Sequence, residues 1–552
     1  MLSVLLNWIY IIGTAFCLGC GFSALCGKLF DYRLKRLDSL LMAGVGIATV
    51  YAQIFSLFGG VGLMANLLLA AACVGILLLC GKDMKEWVMQ AWKSYKPAKR
   101  VLLLVVIGLW AYFTSRGYIH YDTDLYHAQS IRWIEEYGVV PGLGNLHERF
   151  AYNSSFFAVS ALYSMKFLTG ESLHAVSGFF ALLLSITALD ITKSWKRHKF
   201  ILSDYARVGA IYYLTTIVDE VVSPATDYSI MCVIFFIIIK WLDLLEQEEK
   251  EIAPYALLCV AGVYALTLKL TAGLILLLLI KPAYLLIKEK RVKQIFLYLG
   301  MGLLTAIPWF VRTVVISGWL VYPLPSLDLF SFDWEMDAAL IEVDAAQISV
   351  WGKALYNVAL ADTPATQWIP NWFRTTLSGT EKLLILSCVL CIVLFVIRLI
   401  WICAKKQWKQ LDVVLVLFTV ICSYTFWQMS APLLRYGYAY VLLVDFLMVG
   451  WILMQIGWNR LENVVYFVLI LYGAYKLFNI GEYIYSCRLV DCYIWQAEYG
   501  SYELETYEVG GVTFYKPVQG DKTGYEYFPA TPVEADIELR GNGLKDGFRR
   551  RK

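Results

Sequence analysis

Tyr121-Asp122-Thr123-Asp124-Leu125-Tyr126-His127 brings two carboxylates and an imidazole into one short segment. The stretch that follows, Ala128 to Tyr137, sets Ile131, Trp133 and Ile134 beside Arg132, Glu135 and Glu136, the pattern of an amphipathic helix lying at a membrane interface. A helix N-terminus favours the ionised form of Asp122 or Asp124. Such a carboxylate accepts a proton from a hydroxyl, or holds a divalent cation such as Mg²⁺ or Mn²⁺ with His127 as a third ligand. The plainer alternative has one Asp capping the helix and the other solvated. Asp227 follows Ser223-Pro224 and opens a very apolar helix, so it is either a second acid facing the same hollow or an N-cap. His147 and Arg149, in the polar run Asn145 to Asn153, either contact a substrate or are solvated.

Three cations fall near the ends of hydrophobic runs: Lys269, Arg312 and Arg435. A cation so placed marks a functional contact, such as a phosphate, or else snorkels to the surface. Arg435 has the strongest placement, in a short connection between Pro432 and Tyr436.

The elements that must position these groups follow from composition. Of 552 residues, 59% are hydrophobic and 16% charged, with mean hydropathy +0.60, which is too apolar for a soluble domain of this size. The expected class is an all-α polytopic membrane protein. About fourteen helices are predicted, near 3–27, 39–58, 60–80, 101–116, 171–192, 205–222, 227–245, 253–269, 271–287, 294–316, 383–402, 411–427, 438–457 and 461–479. The net charge is +3, and no zinc-spaced Cys/His set, P-loop or GxGxxG turn is present, so no nucleic-acid partner is expected.

Basic residues cluster in alternate connections: Lys28 to Arg36, Lys82 to Arg100, Lys193 to Lys199, Lys288 to Lys293 and Lys405 to Lys409. One assignment makes all of them cytoplasmic. It leaves 117–170, 223–226, 317–382, 428–437 and the tail from 480 outside. The apolar stretch 154–168 is expected to be interfacial or re-entrant, since a full span there would invert every later connection. The tail ends Arg549-Arg550-Arg551-Lys552, against the charge rule. Its Cys487 and Cys492 either pair or stay as free thiols.

The run Asp122 to His127, the glycine after the next helix (Tyr137-Gly138), Ser223-Pro224-Ala225-Thr226-Asp227, Lys269, Pro308 to Arg312, Ser317 to Pro323, and Pro432 to Tyr436 together resemble the GT-C superfamily of polyprenyl-phosphate-sugar-dependent membrane glycosyltransferases. The likeness spans roughly 101–440. The resemblance implies a GT-C-like helical bundle with external interfacial helices. Residues 1–100 are extra N-terminal transmembrane helices, and 101–316 is the core carrying the catalytic loop 117–170. A long external loop (317–382), C-terminal transmembrane helices (383–479) and an external tail (480–552) complete the layout. The tail is also similar to the ends of a group of bacterial membrane proteins with the same layout.

The resemblance further implies an inverting transfer of sugar from a lipid-linked donor to a glycan or lipid acceptor, outside the bacterial inner membrane and among membrane lipids. Asp122 matches the family's acidic position and is expected as the base, with Asp124 assisting or binding metal. His127, Asp227, Lys269, Arg312 and Arg435 are the expected substrate contacts. In the 317–382 loop, acids and Trp334, Trp351, Trp368 and Trp372 suit an acceptor sugar or an aromatic belt. A polysaccharide polymerase or ligase acting on lipid-diphosphate-linked glycans is the neighbouring alternative, and a transporter or flippase the more distant one.

Overall fold

Hydrophobic runs too long for a globular core bury their backbone polar groups by becoming helices, the one open-ended structure a lipid interior tolerates. The computed structural model describes residues 1–94, 96–456 and 459–551. Eleven helices among the described residues are long and apolar enough to cross a membrane, and the chain is an all-α polytopic membrane protein. Leu202–Thr216, Ala253–Leu268 and Asn459–Ser486 supply the remaining predicted segments. Residue 457, the end of the predicted 438–457 helix, lies outside the described residues.

At the centre is the Thr226–Glu246 helix, buried continuously from Asp227 to Leu242. The Leu2–Phe30 and Leu37–Ser56 helices touch backbone to backbone. A Cβ on Gly19 or Gly44 would sit 2.0 Å from the Leu40 carbonyl oxygen or 1.7 Å from that of Ala15, so only small residues permit the approach.

The two ends of the bundle carry different connections. At one, the basic connections are tied together: Arg36 lies 2.6 Å, Lys193 2.9 Å and Lys99 3.4 Å from the Asp190 carboxylate, and Arg33 is 2.8 Å from Asp83. At the other, the 117–170 loop, the 317–382 loop and the tail pack into one body. Asn145 donates to the Trp334 carbonyl at 2.8 Å, Tyr152 to Asp344 at 2.7 Å, and the Phe548 amide to the Pro141 carbonyl at 2.9 Å. Three of the five basic connections, Lys28 to Arg36, Lys82 to Arg100 and Lys193 to Lys199, are therefore brought together at one end.

One local expectation is corrected, and the re-entrant reading of 154–168 is met. Ala128–Glu136 does not lie on a surface. Gln129, Ser130 and Glu135 are as buried as Ile131 and Trp133, because the tail covers the polar face and bonds to it. The segment after Ser154 folds as a nine-residue helix, Ser155–Tyr163, buried throughout. A span needs about 20 residues, so this helix turns back inside the protein.

The tail forms a small β-containing cap. Strands β1 (Leu504–Val509) and β2 (Val512–Pro517) pair antiparallel across Gly510-Gly511, whose φ angles of +59° and +81° suit a tight hairpin turn. Strands β3 (Ile537–Leu539) and β4 (Phe548–Arg550) pair beside them. The terminal arginines are neutralised locally, Arg549 by Glu538 at 2.6 Å and Arg550 by Asp337 at 3.5 Å; Lys552 lies outside the described residues. Cys487 and Cys492 are free thiols.

Candidate functional site

Asp122 precedes a single π-helical turn, Thr123–His127, that leads into Ala128–Glu136. Residues two apart on a helix face opposite ways, so this turn sends Asp122 and Asp124 in different directions. Asp227 comes to Asp122 because the 223–226 connection is stapled to the loop. The His120 amide donates to the Ser223 hydroxyl at 2.7 Å, and the Tyr118 amide to the Asp219 carbonyl at 2.7 Å. Lys269 sits at a break: its extended backbone (φ −155°, ψ 127°) separates Ala253–Leu268 from the 3₁₀ run Leu270–Leu279. Arg435 lies in the first turn of Leu434–Ile456.

These residues converge. The Arg435 guanidinium is 2.7 Å from the Asp122 carboxylate and 3.3 Å from that of Asp227. Lys269 pairs with the other Asp227 oxygen, and its ammonium lies 3.5 Å from the Tyr436 ring centroid, a cation–π contact. Arg149 stands 3.7 Å from the second Asp122 oxygen, and Tyr436 accepts from Arg435 at 3.2 Å. His120 lies against the guanidinium of Arg435. The result is a half-buried arrangement of three cations around two carboxylates at the tail-bearing end of the bundle.

Burial pushes the Asp122 carboxyl up, but Arg435, His127, His120 and Arg149 outweigh it and hold the group below the ordinary carboxylate range. Burial also lowers His120, with Arg435 adding to the effect. His127 is enclosed behind Asp122, between Tyr126 and Phe157 at ring distances of 4.3 and 5.3 Å. Burial pushes its imidazole down to about 3, so it stands beside the cluster as a neutral ring.

Two expected residues are elsewhere. Asp124 is 4% exposed, and both its oxygens are committed to the tail, to the Gly500 amide at 3.1 Å and the Tyr502 hydroxyl at 2.7 Å. It anchors the tail instead of joining Asp122. Arg312 is buried inside the bundle, donating to the Asn153 side chain at 3.0 Å and to Ser56, with neither snorkelling nor a place in the cluster. Asp122, Asp124 and His127 consequently form no ligand set. Among the described residues no group of three or more His, Cys, Asp or Glu is placed to hold a metal ion. Two guanidinium groups, of Arg435 and Arg149, stand at 2.7 and 3.7 Å from the Asp122 carboxylate, and cations so placed suit an anion better than Mg²⁺ or Mn²⁺.

Arg149, whose sequence context left it open between substrate contact and solvation, belongs to the cluster. His147 is built in behind it, accepting from the Arg149 amide at 3.2 Å. His120 was not singled out by sequence: its role depends on a guanidinium 315 residues away, and nothing in its local spacing signals that.

Residues 1–442 match the family model described as a domain of unknown function (DUF8201), a stretch that contains every residue of the cluster. No curated protein and no solved structure matches the chain.

Proposed function

We propose that this chain, which belongs to the DUF8201 family, is a membrane glycosyltransferase of GT-C type that moves a sugar from a polyprenyl-phosphate-linked donor to a glycan or lipid acceptor. The observation that carries this reading is the meeting of Asp122 and Asp227 with Arg435, Lys269 and Arg149 at one end of a membrane bundle. Phosphate esters at a bilayer surface need cations held at that depth. The transfer also needs a carboxylate that takes the acceptor's proton.

In this reading the donor phosphate engages Arg435, Lys269 and Arg149. Arg435 is then shared between phosphate and Asp122, so the Asp122 carboxylate loses part of the field that lowers its proton affinity and becomes a better base when the donor is bound. The acceptor oxygen bonds to the anomeric carbon while its proton passes to Asp122. The bond from that carbon to the phosphate oxygen breaks on the opposite face, and its electron pair leaves with the phosphate. The outcome is inversion. Asp227 touches no reacting atom; it fixes Lys269 and Arg435 by pairing with both. In this reading the basic end faces the cytoplasm, as the positive-inside rule favours, and the cluster works on the extracytoplasmic side of a bacterial inner membrane.

The test is transfer by the purified full-length protein in nanodiscs, supplied with a radiolabelled polyprenyl-phosphate hexose and a glycan acceptor. A glycosidic product formed only from the phosphate-linked donor supports the reading. Product formed only from a diphosphate-linked oligosaccharide assigns a polymerase or ligase, and solute uptake by proteoliposomes without product assigns a transporter.

A further inference from the structure

The C-terminal tail lies beyond the family match, which ends at residue 442, yet it grips the loop on both flanks of Asp122. On one side the Tyr121 hydroxyl donates to the Asp521 carboxylate. On the other, the Thr523 and Gly524 amides each donate to the Asp124 carbonyl at 2.9 Å, while Gly500 and Tyr502 hold the Asp124 side chain. Gly500 has no room for a side chain, since a Cβ there would lie 2.5 Å from the Asp124 carboxylate.

Lys522 sits between these anchors, so its position is set from both sides. Its ammonium is 4.4 Å from the Tyr121 ring centroid and 5.8 Å from that of Tyr502. Among the described residues it has no carboxylate within ion-pair distance, whereas Arg435, Arg149 and Lys269 each have one. Its charge reaches His120, the ring that lies against Arg435. A half-buried cation held at the rim of a cationic cluster, and not neutralised there, is an anion contact by its chemistry.

We propose that the tail is part of the substrate site and that Lys522 is a phosphate-contacting residue acting on the leaving group. The inference rests on the glycosyl-transfer reading above. A sugar-phosphate-lipid donor is a phosphodiester with one negative charge. When its anomeric C–O bond breaks, the electron pair stays on phosphate and the product is a monoester approaching two charges. The cations paired to Asp122 and Asp227 serve the first charge, and Lys522 is free to meet the second. It therefore favours the product-like state over the bound donor, which is the condition for lowering the barrier.

The experiment measures binding of polyprenyl monophosphate, and separately of the sugar-phosphodiester lipid, to full-length protein in nanodiscs, with trypsin protection of the tail read in parallel. Lys522→Gln is expected to weaken monophosphate binding by about tenfold and diester binding by less than about threefold, with the tail still protected and with Lys522→Arg restoring the monophosphate affinity. Wild-type monophosphate binding by K522Q overturns the proposal. So does release of its tail to trypsin, which would make Lys522 a docking residue. Monophosphate binding lost in Arg435→Gln but kept in K522Q rejects Lys522 alone, and binding unchanged in both variants rejects the donor reading itself.

Discussion

Arg435 donates to the Asp122 carboxylate at 2.7 Å across a sequence separation of 313 residues. The same guanidinium lies 3.3 Å from Asp227, so one side chain joins the loop after the fourth helix, the head of the central helix and the start of the Leu434–Ile456 helix. The pair holds the Asp122 carboxyl below the ordinary carboxylate range; in the proposed function Arg435 exchanges a carboxylate for the donor phosphate.

Asp122→Asn keeps the shape of the side chain and removes the proton acceptor. Transfer is expected to fall by about 10²- to 10⁴-fold, a loss far larger than the modest drop in unfolding temperature that follows from removing the ion pairs to Arg435 and Arg149. Initial rates with labelled donor check this, and a rate within about threefold of wild type excludes Asp122 as the base.

Arg435→Gln removes the largest of the charges that lower Asp122. Two readouts should move together. The donor KM rises about tenfold or more through loss of a charged phosphate contact, and the acid limb of kcat/KM shifts to higher pH as Asp122 returns toward the ordinary carboxylate value. A raised KM with an unmoved acid limb would assign that limb to another group.

The folded protein should be acid-labile through its buried histidines. Burial pushes His127 and His147 down to about 3, against about 6.5 in an unfolded chain. Between those values the unfolded state binds more protons, so the stability these neutral rings contribute is lost progressively as pH falls from about 6.5 toward 3. Asp122, lowered in the fold, adds loss in the same direction below the ordinary carboxylate range. Melting curves in detergent across this window check it, and His127→Phe should flatten part of the slope.

Gly138→Ala should destabilise the loop that carries Asp122. Gly138 has φ +79°, and a Cβ there would meet the Ser56 carbonyl oxygen at 2.2 Å and that of Gly59 at 2.5 Å. The neighbouring Val139 amide donates to the same Ser56 carbonyl at 2.8 Å, so the backbone has little freedom to retreat. A left-handed non-glycine residue costs about 1–3 kcal/mol before the clash is counted. A lowered melting temperature with a proportionate loss of site-dependent binding is the expected result; an unchanged melt would contradict this packing.

Much of the site was legible because the residue types are conspicuous in their surroundings. Lys269 and Arg435 stand out against apolar neighbours, and Asp122 and Asp227 each open a helix. Asp124 misled for a physical reason: adjacency in sequence puts it near Asp122, but residues two apart on a helical turn point apart, and the tail supplied the partners that claimed it. Arg312 misled because a helix-end cation looks the same in sequence whether it faces a ligand or an interior amide. The amphipathic pattern of 128–137 was real, but the polar face met the tail where lipid headgroups or water were expected.

By itself the sequence determined the membrane class, the order of the spanning helices, the separation of basic from non-basic connections, and a short roster of groups with the right chemistry. Those features follow from hydropathy, length and charge, which act locally along the chain. Tertiary structure alone decided which of those groups meet: that Arg149 and His120 join Asp122, that Asp124 and Arg312 do not, and that the tail binds the loop on either side of Asp122. Pairings across hundreds of residues are set by how helices pack and where breaks such as the one at Lys269 fall. Neither is written in the periodicity of any single segment.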